Sequence, residues 1–259
     1  MEGEGRLSNR LRDRVALITG AGAGMGRSHA LVMAGRGAKL VVQDIDGRGA
    51  EETAALVREG GGEALVAVGD VADSVSAGRA VAAAESRFGR VDILVNNAGI
   101  ASFKHTEEVE EAEFDRIFAV HVKGAFFFAQ RVVPGMKARR MGKIINISSR
   151  WGQVGAEIAS DYCGAKAALL GMTKAWAKEL APHNIHVNAV APGGVWTPMA
   201  HEEKGGTEGI RAAEKAVPLG RWAQPEEISY AVAFLASSES DFITGQVIAP
   251  NGGATIVGF

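Results

Sequence analysis

The sequence is poor in cysteine, and its net charge is close to zero. The single cysteine, Cys163, excludes an intrachain disulfide bond and a zinc site built from cysteines. The 28 basic and 30 acidic side chains leave a net charge of −2, so no bulk basic surface favours nucleic acid or an anionic membrane. No uninterrupted run of about 18 apolar residues is present, which predicts that no segment spans a membrane.

The first residues are charged and lack the apolar core of a signal peptide, so we expect a reducing, cytoplasmic location. Glycine, by contrast, is abundant, with 34 of the 259 residues. These glycines follow no three-residue period and prolines number only seven, which excludes collagen and proline-rich linkers. Apolar residues make up 47 % and charged residues 22 %, values that are typical of an ordered globular chain.

Short apolar segments alternate with longer helical stretches along the chain. Strands are predicted at 15–19, 39–43, 64–68, 93–95, 143–147, 185–190 and 246–248, and helices at 25–36, 47–59, 74–88, about 111–133, 160–180 and 225–237. The strands are continuous apolar runs, which indicates that both faces are covered, as in a parallel sheet. Strict alternation then predicts an α/β fold, a doubly wound parallel sheet of about seven strands with helices on both faces.

The domain organisation is predicted to be simple. No Pro/Ser-rich linker and no internal repeat divides the chain, so residues 13–259 are expected to form a single domain. Residues 1–12 are polar and are expected to form a flexible arm. The segment of about 196–217 contains three glycines and little strand pattern, and is expected to form a lid over a substrate.

A glycine-rich loop, Thr19–Gly26, follows the first strand directly and precedes a helix. Glycine is needed where a backbone turns sharply and lies against a pyrophosphate, and the helix N-terminus then presents free N–H groups to the phosphates. The pattern therefore indicates a dinucleotide site. The alternative is a tight strand–helix turn that binds no ligand, because a glycine pattern alone is weak evidence.

An acidic residue stands where such a site requires one. Asp44 lies 18 residues after Gly26, at the end of the second predicted strand, where a carboxylate binds the ribose 2′-hydroxyl. A carboxylate there would repel a 2′-phosphate, and residues 21–25 contain no arginine, so NAD(H) is favoured over NADP(H). Asp46 is a competing candidate, and Asp44 could also be a solvated turn residue.

Tyr162 and Lys166 lie four residues apart and share one face of a predicted helix. A free tyrosine has a pKa near 10, but a nearby lysine favours the phenolate, and such a tyrosine can exchange a proton with an alcohol or a ketone. An ordinary surface pair is the alternative. The chain has only two tyrosines, and Ser149 lies just past a strand end, where active-site residues of open α/β sheets gather.

Taken together, these motifs resemble those of the classical short-chain dehydrogenase/reductase family, from about residue 13 to 254. The glycine loop matches the family's Thr-Gly-x-x-x-Gly-x-Gly, and residues 96–99 match its Asn-Asn-Ala-Gly. Ser149 matches the family's serine, and residues 162–166 its Tyr-x-x-x-Lys. Residues 192–197 match its Pro-Gly segment. The resemblance implies a Rossmann-like single domain and an oxidoreductase.

The resemblance also implies a role for each matching residue. Tyr162 would be the acid/base, Lys166 would hold the ribose and lower the tyrosine pKa, and Ser149 would bind the substrate oxygen, with Ser148 as the runner-up. Cofactor contacts are implied for Gly20, Gly24, Met25, Gly26, Asp44, Asp70, Val71, Asn97, Ala98, Gly99, Tyr162, Lys166, Pro192, Gly193, Val195 and Thr197.

One position departs from the family pattern. His121 stands where the family usually has an asparagine that helps to hold a water linking the lysine to solvent. His121 is expected to support this relay, because the water is thought to contact mainly a backbone carbonyl. The alternative is that His121 is a packing substitution.

The sequence is therefore interpreted as an NAD-dependent enzyme that interconverts a secondary alcohol and a ketone, with no metal. The resemblance implies a homotetramer. A 3-oxoacyl-carrier-protein reductase and a cyclic diol or sugar dehydrogenase remain alternatives, and a non-catalytic NAD-binding regulator is a more distant one. Arg150 and Trp151, which follow Ser149, are candidates to border the substrate pocket.

Overall fold

The structure is a computed structural model that describes residues 10–101 and 103–257. Its strands are β1 (Val15–Thr19), β2 (Lys39–Asp44), β3 (Ala64–Val68), β4 (Ile93–Asn96), β5 (Gly142–Ile147), β6 (Ile185–Val190) and β7 (Val247–Ile248). Its α-helices are α1 (Gly24–Ala34), α2 (Gly47–Glu59), α3 (Ser74–Phe88), α4 (Glu111–Phe118), α5 (Gly124–Arg139), α6 (Trp151–Val154), α7 (Ser160–Leu180), α8 (Pro198–Glu203), α9 (Thr207–Glu214) and α10 (Pro225–Ala236).

The seven strands form one parallel sheet in the order β3-β2-β1-β4-β5-β6-β7. The predicted single domain with a doubly wound parallel sheet is confirmed. Strand order reverses at β1, which pairs with β2 on one side and with β4 on the other. In open α/β sheets the carboxyl ends of the strands at such a switch point form a crevice for ligands.

Both faces of the sheet are covered, which explains why its strands read as continuous apolar runs. On β1, Ala16 and Ile18 pack in a core with α1, α2 and α10. The alternate residues, Val15 and Leu17, pack in a second core with α3, α5 and α7. All four side chains are almost completely buried. Among the described residues, no helix is both long enough and apolar enough to cross a bilayer.

The long helix predicted at 111–133 is different in the structure. It consists of α4, a π-helical turn at Ala119–Lys123, and α5, which continues to Arg139 with Pro134 inside it. Val132 and Met136 lie one turn apart on either side of the proline, and both are buried in the core. Their burial outweighs the hydrogen bond that the proline cannot donate.

The segment predicted as a lid contains regular structure that its sequence pattern did not indicate. Helices α8 and α9 occupy most of 196–217, joined by Gly205 and Gly206, which adopt positive φ angles of 67° and 103°. Ile210 and Trp222 are buried in a small core of their own. Helices of six and eight residues are too short to show a clear helical period, so tertiary packing decides them.

The flexible arm was predicted to include residues 1–12, but residue 11 already belongs to the folded core. Leu11 is fully buried in the core, and its N–H donates to Arg36 O at 2.9 Å. Residues 1–9 lie outside the described residues. Most predicted strand bounds agree with the structure to within one residue.

The contact between α1 and α10 contains a buried histidine. His29 Nδ1 lies 2.7 Å from Ser229 Oγ, and its Nε2 has no hydrogen-bond partner among the described residues. Burial lowers the pKa of His29 to about 3. The imidazole is therefore neutral in the folded protein throughout the physiological range.

Acidification should destabilise the fold through this group. The unfolded chain protonates His29 near pH 6.5 and the folded chain only near 3, so unfolding takes up a proton between these values and stability falls as the pH falls. Between pH 6.5 and 5 the loss should be about 2 kcal/mol. Urea unfolding of His29→Leu across this range should show a smaller pH slope than wild type, with His183→Gln as the control. An unchanged slope would contradict the assignment.

Candidate active site

A cavity of about 300 Å³ opens at the carboxyl ends of β1 and β4. It brings together most of the residues predicted to bind a cofactor. Those that line it are Gly20, Gly24, Met25, Gly26, Asp44, Asp70, Val71, Asn97, Ala98, Gly99, Tyr162, Lys166 and Thr197. His121 and Ser148 also line this cavity. It therefore lies where the topology predicts a ligand.

The glycine loop forms one wall of the cavity by close backbone packing. A Cβ on Gly20 would lie 2.8 Å from Ala98 Cα, and one on Gly26 would overlap Gly20 O. Gly20 and Gly24 have positive φ angles of 63° and 52°. Thr19 Oγ1 accepts hydrogen bonds from Asn97 N and Ala98 N, each at 3.0 Å, which ties the loop to the end of β4.

Helix α1 begins in this wall without a side-chain cap. Ala23 occupies the cap position, and the first turn holds no acidic residue. Its first backbone N–H groups therefore remain available to an anion, and the helix dipole adds a partial positive charge there. This end of the cavity has the geometry of a phosphate site.

The structure separates the two acidic candidates at the end of β2. Asp44 lines the cavity, where its Oδ2 accepts from Gly22 N at 2.7 Å and its Oδ1 from Asp46 N at 2.9 Å. Asp46 is exposed and caps α2, because its Oδ1 accepts from Arg48 N at 3.0 Å. Asp46 thus has a helix-capping role, and Asp44 is the carboxylate that faces the cavity.

Asp70 lies at the far end of the cavity beside an arginine that the sequence did not single out. Arg116 donates to Asp70 Oδ2 at 2.7 Å, and Ala72 N donates to Asp70 Oδ1 at 2.9 Å. Burial acts to raise the pKa of Asp70, but these hydrogen bonds outweigh it and the pKa is lowered. Arg116 precedes Val120, which also lines the cavity, by one helical turn, so the two side chains share one face of the helix. This spacing was the sequence signal that could have identified Arg116 as a cavity residue.

Tyr162 and Lys166 lie at one corner of the cavity, and Ser149 lies next to Tyr162 on the wall of a second cavity. Lys166 is 4 % exposed, and its Nζ donates to Ile147 O at 2.8 Å. The same ammonium lies 5.6 Å from the centre of the Tyr162 ring. Ser149 Oγ accepts from Trp151 N at 3.2 Å. The end of β5 and helix α7 thus bring together three residues that are up to 17 positions apart in the sequence.

The neighbouring serine has a different environment. Ser148 is buried, and its Oγ donates to Lys166 O at 2.8 Å. This bond joins the end of β5 to the backbone of α7. Ser148 is thereby occupied in holding the helix, whereas Ser149 lies beside Tyr162 on the wall of the second cavity.

The electrostatics of Tyr162 differ from the sequence expectation. Burial raises the pKa of Tyr162 to about 12, and the nearby Ser149 side chain only partly opposes this shift. Burial also lowers the pKa of Lys166 to about 7. The Lys166 ammonium lies over the Tyr162 ring and donates to the backbone carbonyl of Ile147. Lys166 is not among the protein groups that shift the pKa of the phenol, which differs from the sequence expectation. The phenol is protonated at neutral pH.

His121 lies beside this corner on the π-helical turn. Its ring centre is 5.4 Å from that of Tyr162, and its Nε2 is 2.7 Å from Ile100 O. Its Nδ1 is buried without a hydrogen-bond partner among the described residues. Burial, and then the charge of Lys166, lower the pKa of His121 well below its usual value, so the ring is neutral.

A second cavity, of about 270 Å³, joins the first at Tyr162. Pro192, Gly193 and Val195 line this second cavity and not the first, although they were predicted to touch the cofactor. Thr197 lines both cavities, and its Oγ1 accepts from Ala200 N at 3.2 Å as the cap of α8.

Four aromatic side chains from distant parts of the chain contribute to the wall of the second cavity. Phe103 packs edge-on against Trp151, with ring centres 5.9 Å apart, and Trp151 packs edge-on against Tyr162 at 6.1 Å. Trp222 also lines this cavity, and its backbone N–H donates to Glu214 Oε1 of α9 at 3.0 Å. No spacing rule in the sequence links Phe103 or Trp222 to this site, and only the fold brings them there.

A parallel sheet of this order, with a glycine-lined cavity at its switch point, defines a dinucleotide-binding α/β protein. Over residues 20–255 the chain matches the family described as enoyl-(acyl carrier protein) reductase. It is 41 % identical over 250 residues to a 3-oxoacyl-[acyl-carrier-protein] reductase of Thermotoga maritima, covering 95 % of this chain and 100 % of the relative.

Two further relatives cover nearly the whole chain. Trans-4-hydroxycyclohexanecarboxylate dehydrogenase of Sinomonas cyclohexanicum is 44 % identical over 256 residues, 96 % of each chain. The crystal structure of a levodione reductase superposes with a TM-score of 0.91 at 34 % identity, covering 93 % of this chain and 97 % of the other. The chain belongs to the short-chain dehydrogenase/reductase family, whose members are oxidoreductases that use nicotinamide cofactors.

The close packing of the glycine loop can be tested by adding one methyl group. In Gly26→Ala the new Cβ would overlap Gly20 O and lie 2.6 Å from Asn97 Nδ2, so the loop must shift. We expect a loss of about 1–3 kcal/mol of stability and a large loss of NADH binding. Calorimetry and NADH fluorescence titration measure the two effects.

The matched control is Gly171→Ala in α7, where an added Cβ meets nothing within 4 Å. Alanine is the better helix former by about 1 kcal/mol, so this variant should be slightly more stable and should bind NADH as wild type does. Wild-type stability and NADH affinity in Gly26→Ala would show that the loop is not packed as described.

Proposed function

We propose that this protein is an NAD-dependent dehydrogenase/reductase that interconverts a secondary alcohol and a ketone. The observation that carries the proposal is the position of Tyr162, which lies where the two cavities meet, with Ser149 beside it on the wall of the second cavity. One cavity has the features of a dinucleotide site, and the other can hold a small molecule. A proton donor at their junction is what transfer of hydrogen between the two ligands requires.

The residues of the first cavity fit a dinucleotide. The uncapped N-terminus of α1 and the close-packed glycines would receive the pyrophosphate. Asp44 would accept hydrogen bonds from the ribose hydroxyls near β2, and Asp70 would meet the adenine. The Asp44 carboxylate would repel a 2′-phosphate, and no arginine in residues 21–25 would compensate for it, which favours NAD over NADP.

NAD, when bound, supplies the acceptor or donor of hydride and, in its oxidised form, a positive charge near the phenol. Tyr162, protonated at neutral pH, would donate its proton to the oxygen of a ketone during reduction. Ser149 would hydrogen-bond the same oxygen and stabilise the negative charge that develops on it. During oxidation the tyrosine must take a proton, and nearby positive charge lowers its pKa for that purpose.

Lys166 would bind the ribose through its ammonium while it keeps its bond to Ile147 O. Its pKa of about 7 places it at the boundary between the charged and neutral forms, so it can pass a proton at neutral pH. His121, whose ring packs against that of Tyr162, would support this proton relay. Its neutral ring has Nε2 engaged with Ile100 and a buried Nδ1 that can accept a hydrogen bond.

The alternatives place other substrates in the same second cavity. A 3-oxoacyl-carrier-protein reductase is favoured by one close relative but opposed by Asp44, because such reductases usually use NADPH. A cyclic diol or sugar dehydrogenase is favoured by the aromatic side chains of the cavity and by the similarity to a dehydrogenase of a hydroxylated cyclohexane ring. A pure NAD-binding regulator would not need an acid/base, so the presence of Ser149, Tyr162 and Lys166 opposes it.

The assembly and location are also proposals. The resemblance implies a homotetramer, and Phe114 and Phe126 on α4 and α5 are 45 % and 44 % exposed, which suits burial against another copy. Of the apolar C-terminal residues, Ile256 and Val257 are exposed, and 258–259 lie outside the described residues. A cytoplasmic location is consistent with a single free cysteine.

The acid/base assignment is tested by Tyr162→Phe. Removal of the hydroxyl should reduce kcat by at least about 1,000-fold, because proton transfer and its alignment are both lost. NADH binding, measured by fluorescence, should remain. Activity within tenfold of wild type on any alcohol or ketone that the protein turns over would show that Tyr162 is not the acid/base.

The cofactor preference is tested by Asp44→Ala. Loss of the carboxylate should lower the NAD-over-NADP ratio of kcat/KM by about 10- to 100-fold, since charge-assisted hydrogen bonds are lost and a repulsion is relieved. Asp46→Ala is the matched control, because it removes a carboxylate two residues away that only caps α2. It should cost about 1 kcal/mol of stability and keep the ratio. A wild-type preference for NADPH would contradict the proposal.

A further inference from the structure

The second cavity contains three charged side chains in an otherwise apolar and aromatic wall. These are Arg150, Glu203 and Lys204. Charges in such surroundings are costly unless they are paired or serve a ligand. Their pairing therefore indicates which of them is available to a substrate.

Two of the three neutralise each other. Lys204 Nζ lies 2.5 Å from Glu203 Oε1, and the Glu203 side chain is only 15 % exposed. The same ammonium lies 5.9 Å from the centre of the Phe103 ring, which also stabilises its charge. Glu203 and Lys204 thus contribute no net charge to the cavity.

Arg150 is the charge that remains. Among the described residues, no aspartate or glutamate lies within ion-pair distance of its guanidinium. Its Cζ lies 5.7 Å from the centre of the Trp151 ring, so the guanidinium packs against this indole. The cavity therefore has a net charge of one positive unit.

The backbone of Arg150 is held beside the proposed catalytic residues. Its backbone N–H donates to Pro192 O at 3.0 Å, which holds this turn against the segment after β6. Arg150 follows Ser149 directly, and the Trp151 ring contacts both the Arg150 guanidinium and the Tyr162 ring. A ring-shaped molecule that packs against this indole would therefore lie near both Tyr162 and Arg150.

We propose that the substrate is a ring-bearing secondary alcohol or ketone with a carboxylate, and that Arg150 binds this carboxylate. The inference rests on the proposed dehydrogenase function and specifies the substrate class of that site. A guanidinium presents two parallel N–H donors that match a carboxylate in geometry. A single unpaired positive charge matches one carboxylate better than a phosphate monoester, which carries up to two negative charges at neutral pH.

Three probes of similar shape test this assignment: 4-hydroxycyclohexanecarboxylate, its methyl ester, and cyclohexanol. In the wild-type protein the carboxylate should have the highest kcat/KM. In Arg150→Gln the ratio of kcat/KM for the carboxylate to that for the ester should fall by about 10- to 100-fold, and Arg150→Lys should recover part of it. Arg211→Gln, on α9 outside the cavity wall, should keep the wild-type ratio and controls for general charge attraction.

A binding measurement separates this proposal from the function itself. Cyclohexanecarboxylate lacks the hydroxyl and cannot react, but in calorimetric titration it should bind wild type at least tenfold more tightly than Arg150→Gln. Equal kcat/KM for carboxylate and ester in wild type, or an unchanged ratio in Arg150→Gln, would overturn the role of Arg150. Failure of every alcohol and ketone to react would instead overturn the proposed function, and selective binding of cyclohexanecarboxylate would still be observed.

Discussion

Two hydrogen bonds run in opposite directions between helix α7 and the end of strand β5. Lys166 Nζ donates to Ile147 O, and Ser148 Oγ donates to Lys166 O, both at 2.8 Å and both buried. Loss of either partner would leave a polar group unsatisfied in the core, which costs about 1–3 kcal/mol. The pair fixes the rotation of α7, and Tyr162, one turn earlier, is thereby directed to the junction of the two cavities.

The burial that makes this link strong also sets the chemistry of the site. Desolvation favours the neutral form of each group, so it raises the pKa of Tyr162 and lowers that of Lys166. The protein alone therefore holds a protonated phenol, which suits donation of a proton to a ketone. Positive charge brought into the first cavity would shift the balance toward the phenolate, so the direction of proton transfer is coupled to what that cavity holds.

Several site residues could be predicted from the sequence because their signals are local. The glycine loop, Asp44 and the Tyr162–Lys166 spacing follow from short-range geometry of a strand, a turn and a helix. Where two candidates stood close together, however, only contacts separated them. Asp46 caps a helix while Asp44 faces the cavity, and Ser148 holds α7 while Ser149 faces Tyr162. The side chains of each pair point in different directions.

By itself the sequence determined the class of fold, because strands covered on both faces must be apolar along their whole length, and alternation with helices favours a parallel, doubly wound sheet. The strand order came from the structure. The sequence also determined the glycine loop, since only glycine fits so close to another backbone. The tertiary structure alone decided helices α8 and α9, the aromatic side chains of the second cavity and the unpaired charge of Arg150. These depend on contacts between segments far apart in the chain, where the energy of burial and ion pairing outweighs any local preference.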